Sequence, residues 1–120
     1  MNIQEQDSFL PLTPQVFHIL LALTTSQNMT GADIIRQIQA DSKGLISLGS
    51  GTVYTATKRL QLTGLVENPN GSERVYRLTE TGAFILRQET DRMARAAKLA
   101  TDRVPDWSAR RSATPICFEP

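Results

Sequence analysis

Between Thr79, whose hydroxyl can cap a helix, and Pro105, which forbids one from continuing, lie about 25 helix-compatible residues, roughly 37 Å of rod. A chain of 120 residues has room for one modest core, and a rod of that length overruns it. The excess has a pattern. Ala83, Leu86, Thr90, Met93, Ala97, Ala100 and Val104 recur at intervals of three and four, an a/d seam that calls for a partner helix. Ile85, Ala96 and Leu99 broaden the stripe, and the small Ala97 and Ala100 permit close approach of two such helices. The expectation is a homodimer through Leu86, Thr90, Met93, Ala97, Ala100 and Val104; the alternative is a helix folded back on its own core.

Upstream, two capping signals start two shorter helices. Thr13-Pro14 opens the first, predicted to run to about Thr25, with Leu12 placed to staple onto Phe17. Its apolar residues wrap most of the circumference, so it belongs at the centre of the core. Thr30 and Asp33 form a capping box for the second helix, which carries Ile34, Ile35 and Ile38 on one face and stops at Gly44. Leu45 to Leu48 reads as a short strand. A third helix is predicted from Ser50 to Thr63, and Leu65–Glu67 with Val75–Leu78 reads as a hairpin turned by Asn68-Pro69-Asn70-Gly71. The fold class is therefore mainly α with a small β-hairpin wing: a winged helix-turn-helix with a long C-terminal dimerisation helix. Its expected divisions are a DNA-binding domain over 12–79, the dimerisation helix over 80–104, an N-terminal arm over 1–11 and a tail over 105–120.

Composition excludes several classes. A 40% apolar fraction with 21% charged residues is that of a folded globular chain. One cysteine, Cys117, allows neither an internal disulfide nor a multi-cysteine metal cage, and the lone His18 lies in an apolar helix, a core or margin residue with no co-ligands. No metal or other cofactor is expected. Nothing forms a nucleophile with its base, a carboxylate pair or a phosphate loop, so an enzyme is not expected either. The longest apolar run, Val16 to Leu23, is far short of the ~20 residues a membrane helix needs, and the expected location is the cytoplasm. Net charge is only +1, yet residues 49–79 set Lys58, Arg59, Arg74 and Arg77 against Glu67 and Glu73. The positive charge is placed on the third helix and the wing.

On the third helix Val53, Ala56, Thr57 and Leu60 gather on one side. Tyr54, Thr55, Lys58 and Leu62 face away, with Thr52 on the flank and Arg59 at the margin. Lys58 and Arg59 can neutralise phosphates or donate to guanine, while Thr52 and Thr55 can meet a thymine methyl or exchange hydrogen bonds. Tyr54 adds a hydroxyl and a flat ring. The amides at Gly51 and Thr52, at the positive end of the helix, favour a phosphate, and Ser50 at the helix start is counted with the DNA-binding residues. Asn70, Ser72 and Arg74 would reach the minor groove or flanking phosphates from the wing. Each has a plainer role: Lys58 and Arg59 as a solvated face, Tyr54 packed under the wing, Arg74 as hairpin surface. Tyr76 reads as core, and Leu62 needs cover from the wing or another chain. Trp107 either anchors the tail or lines an effector pocket.

Gly51-Thr52-Val53-Tyr54, Lys58-Arg59-Leu60, Gly64-Leu65-Val66 and Tyr76-Arg77-Leu78-Thr79-Glu80-Thr81-Gly82 stand in an order and spacing that resembles the PadR-like transcriptional regulators, over residues 12 to 104. The resemblance implies a homodimeric repressor of the smaller-bodied type. Thr55 stands where that family usually has Pro, Thr57 where Leu is usual, and Ala32 where the second helix often carries Tyr. A two-fold dimer would set two third helices against major grooves ~34 Å apart and read a pseudo-palindrome in double-stranded DNA. An effector would sit between the fourth helix and the core, its chemistry unreadable from sequence. The rival from another class is a winged-helix protein–protein interaction module that does not bind DNA.

Overall fold

In the computed structural model, which describes residues 10–104, the predicted caps set the first two helices. Thr13 accepts a hydrogen bond from the Val16 amide at 3.1 Å and starts α1, Pro14–Ala22, with Pro14 in the first turn. Predicted to reach Thr25, α1 ends earlier. The Thr24 and Thr25 hydroxyls donate back to the carbonyls of Leu21 and Ala22 at 2.6 and 2.7 Å, side-chain bonds that compete with helical continuation. Ile19, Leu20, Ala22 and Leu23 are buried, so α1 is central as expected.

Met29–Thr30 forms β1, and Thr30 then caps α2, Gly31–Asp41. The capping box is complete: the Asp33 amide donates to Thr30 Oγ1 at 3.1 Å and the Thr30 amide to Asp33 Oδ2 at 3.0 Å. Those bonds, above all the one from the Thr30 backbone, hold the Asp33 carboxyl below its ordinary value, and an ion pair with Arg36 adds to the effect. A carboxylate whose pKa is depressed on folding contributes stability that is present above its unfolded value and lost as pH falls through the folded one. Thr30→Ala is expected to lower unfolding free energy by about 1 kcal/mol in urea titration at neutral pH. Its deficit relative to wild type should narrow below pH 4, where the box loses its carboxylate in both proteins.

After α2 the chain turns through Lys43 and Gly44, both at positive φ, with the Gly44 amide on the Gln39 carbonyl at 2.8 Å. Residues 45–48 do not form the predicted strand. The three-stranded antiparallel sheet has the order β1-β3-β2, so both edges of its middle strand are already taken. Leu48 is buried in the core while Leu45 is 90% exposed. Helix α3, Ser50–Leu62, follows, and β2, Val66–Glu67, pairs with β3, Val75–Leu78, in the register Val66↔Leu78 and Glu67↔Arg77. Met29 and Thr30 pair with Tyr76 and Val75 on the other edge.

The hairpin is present, but Asn70-Gly71 is not a two-residue turn between the strands. It lies in a short 3-10 turn, Pro69–Gly71, with both residues at positive φ. Asn68 organises the base of the wing, donating from Nδ2 to the Val75 carbonyl at 2.8 Å and accepting from Gln61 of α3 at Oδ1.

Helix α4, Glu80–Arg103, is the long one, about 36 Å over its 24 residues. Thr79 caps it, accepting from the Gly82 amide at 3.0 Å and donating to the Gly64 carbonyl at 2.7 Å. The chain parts into two compact units, residues 1–89 and 90–120. Ile85 and Leu86 belong to the core of the first. Leu86, assigned to the dimer seam by its spacing, is only 7% exposed and is packed against its own chain. Glu89, which spacing alone leaves unremarked, is buried and accepts from the Leu12 amide at 2.7 Å, setting a carboxylate at the start of α1. In the second unit Thr90, Met93, Ala97, Ala100 and Val104 are exposed. Most of the expected arm, and the whole tail with Trp107 and Cys117, lie outside the described residues.

Candidate nucleic-acid interface

Helix α3 follows from its composition. Gly49 occupies the N-cap and supplies no side-chain bond, so the amides of its first turn are left as open donors. Val53, Thr57 and Leu60 turn inward. A threonine in the core needs a partner for its hydroxyl, and Thr57 finds two within the helix, donating to the Val53 and Tyr54 carbonyls at 2.9 and 3.0 Å. That inward face fixes the outward one.

The outward face carries the expected side chains. Ser50, Gly51, Thr52, Thr55 and Arg59 are exposed, Lys58 is half-buried, and Tyr54 is 59% exposed, so its ring is not packed under the wing. Lys58 Nζ lies 5.3 Å from the centroid of the Tyr54 ring, a contact that fixes ring and charge together. Lys58, Arg59 and Arg74 form no ion pair with any described residue. Arg77 differs: its guanidinium pairs with Glu67 across the strands at 2.8 Å. Among the described residues, the positive charge without an ion-pair partner in this region is thus on α3 and at Arg74. Asn70, Ser72 and Arg74 are all exposed in the wing.

Gly51, Thr52, Thr55 and Arg59 line one side of a depression of about 700 Å³, whose other side is the start of α1 with Thr13 and Gln15. The wing residues do not line it. Sequence reasoning took Thr13 only as a cap and passed over Gln15; the available signal was their position in a helix start, where open amides gather. Leu62 is 88% exposed, and no described residue of the wing covers it. His18 is half-buried at the margin of the core with its ring edge-on to Phe17, and its Nδ1 is buried without a hydrogen-bond partner among the described residues. Among the described residues no group of three or more His, Cys, Asp and Glu side chains could hold a metal, and no helix is long and apolar enough to cross a membrane.

A family model described as the transcriptional regulator PadR-like family matches residues 19–88. Solved structures share the fold. A transcriptional regulator from Clostridium thermocellum is 24% identical with a TM-score of 0.63, over 75% of this chain and 92% of its own. A PadR family transcription regulator from Clostridium difficile is 21% identical with a TM-score of 0.59, over 72% and 94%. BpsR of Bordetella bronchiseptica, a protein whose DNA binding is regulated by 6-hydroxynicotinic acid, is 18% identical with a TM-score of 0.61, over 91% and 77%. None of the curated protein sequences matches.

Proposed function

The chain belongs to the PadR-like family of transcriptional regulators, and from that premise we propose that it is a repressor binding a pseudo-palindromic operator in double-stranded DNA as a homodimer. One observation carries the reading: the outward face of α3 presents Lys58 and Arg59 without an ion-pair partner among the described residues, beside an exposed Tyr54. Cations at a helix face that form no ion pair among the described residues are available to phosphates and guanine edges. In this reading Lys58, Arg59, Thr52 and Thr55 meet the major groove. The open amides at Gly51 and Thr52 take a phosphate beside Ser50, and Asn70, Ser72 and Arg74 contact the flanking duplex.

Residues 12–79 are the reading head, 80–104 the dimerisation helix, and the cytoplasm the place of action. Met93, Leu99 and Val104 leave apolar surface exposed on α4, which supports pairing through Thr90, Met93, Ala97, Ala100 and Val104. The buried Leu86 supports its own core in that arrangement rather than the pairing. Met93→Glu sets like charges across a two-fold seam and should yield monomers in sedimentation velocity; an unchanged mass would remove the seam from this face.

The experiment that tests the function is an anisotropy titration of the intergenic duplex flanking the gene, with an unrelated duplex as control. Preference for the flanking duplex by ~10³-fold or more is the expected result. The interaction-module reading is favoured by Leu62, an apolar side chain fully presented on the same helix. It predicts no binding to either duplex.

A further inference from the structure

The loop that carries Asn70, Ser72 and Arg74 has little backbone pairing to hold it. The hairpin ladder is only Val66↔Leu78 and Glu67↔Arg77, and the chain then leaves β2 and does not rejoin the sheet until Val75. Among the described residues, the backbone hydrogen bonds of the loop stay inside it: the Gly71 amide donates to the Asn68 carbonyl at 3.4 Å and the Ser72 amide to the Pro69 carbonyl at 3.1 Å. These shape the tip without aiming it. Pro69 is buried and anchors the loop, but apolar contact has no direction.

The Asn68 side chain supplies the direction. Beyond the last rung of the ladder its Nδ2 donates to the Val75 carbonyl at 2.8 Å, and its Oδ1 accepts from Nε2 of Gln61 in the last turn of α3. One amide thus uses its donor on one element and its acceptor on another. Val75 is itself paired with Thr30 on its other edge, so the carbonyl it offers belongs to a strand already fixed. Asn68 and Gln61 are both half-buried, which limits the competition of water for these bonds.

We propose that Asn68 is a positioning residue for DNA recognition: tied to α3 through Gln61 and to β3 through Val75, it sets the reach from the outward face of α3 to Arg74, so that both meet one duplex at once. The proposal rests on the reading of α3 and the wing as the DNA-contacting surface. Arg74 is exposed and forms no ion pair with any described residue, so nothing but its backbone places it. Holding that backbone in advance removes an ordering cost that binding would otherwise carry.

The test is a double-mutant cycle of the full chain, read by anisotropy on the flanking duplex, with tryptic cleavage of the free proteins beside it. In wild type, Arg74→Ala should weaken binding about tenfold. In an Asn68→Ala background the same change should cost no more than about twofold, while the loss from Lys58→Ala with Arg59→Ala keeps its wild-type size. A role confined to stability would leave the Arg74 effect whole. Gln61→Ala cuts the bridge from the α3 side and should reproduce the pattern; it decides the matter if Asn68→Ala does not fold. Trypsin should cut after Arg74 about tenfold faster in either variant, with cleavage after Arg59 in α3 unchanged. An Arg74 effect of full size in both variants, no Arg74 effect in wild type, or unchanged cleavage after Arg74 overturns the proposal. If wild type binds no duplex at all, the DNA reading fails and the recognition role with it, while cleavage still decides whether Asn68 holds the wing.

Discussion

Gly82→Ala is expected to destabilise the protein by about 3 kcal/mol in urea unfolding, although alanine is the better helix former by about 1 kcal/mol. The added Cβ would stand 2.2 Å from the Leu65 carbonyl oxygen and 2.7 Å from Leu78 Cδ1. A leucine methyl can rotate away; a backbone carbonyl cannot, least of all this one. The Leu65 oxygen accepts from the Thr79 amide at 3.1 Å, and Thr79 also donates to Gly64 and caps α4. Moving the carbonyl therefore loosens the cap, the end of α3 and the hairpin together. Overpacking outweighs propensity here, and the net sign decides the point. A neutral or stabilised Gly82→Ala would mean that α4 does not approach Leu65 as closely as described.

That glycine also shows how far the sequence could be read. The Leu78-Thr79-Glu80-Thr81-Gly82 stretch was recognisable as a pattern, and Thr79 as a cap, but the reason for glycine lies in a carbonyl seventeen residues away, which local chemistry does not carry. Where a signal is local, the reading succeeded: the Thr13 and Thr30 caps, the inward face of α3 and the burial of Tyr76 all follow from short-range rules. Where two structures share one signal, it failed. Leu45 to Leu48 is as strand-like as Met29–Thr30 is not, yet the two-residue β1 takes the free edge of β3. The spacing that put Leu86 in a dimer seam is the same three-and-four spacing that packs a helix on its own core, and burial alone tells them apart.

The variant carrying Lys58→Ala and Arg59→Ala is expected to bind its duplex about 30-fold to 1,000-fold more weakly at ~0.1 M salt, a loss of about 2–4 kcal/mol for two charged contacts. Its fold should be unaffected. Arg59 is exposed, Lys58 is half-buried, and neither forms an ion pair with a described residue, so truncation orphans no buried charge. Lys58 gives up only its contact with the Tyr54 ring. Sedimentation and thermal unfolding should therefore match wild type, which separates a lost contact from a lost fold. An Arg77→Ala variant is the internal control: its cation is engaged with Glu67, so duplex affinity should change far less.

The central claim, that the outward face of α3 lies against duplex DNA, is tested most directly by the salt dependence of binding in wild type and the double variant side by side. Each phosphate neutralised by a cation releases counterions, so log affinity should fall linearly with log salt in wild type. The slope should be shallower in the variant by about two for each protomer bound. A wild-type affinity that does not respond to salt, or identical slopes in the two proteins, would contradict it.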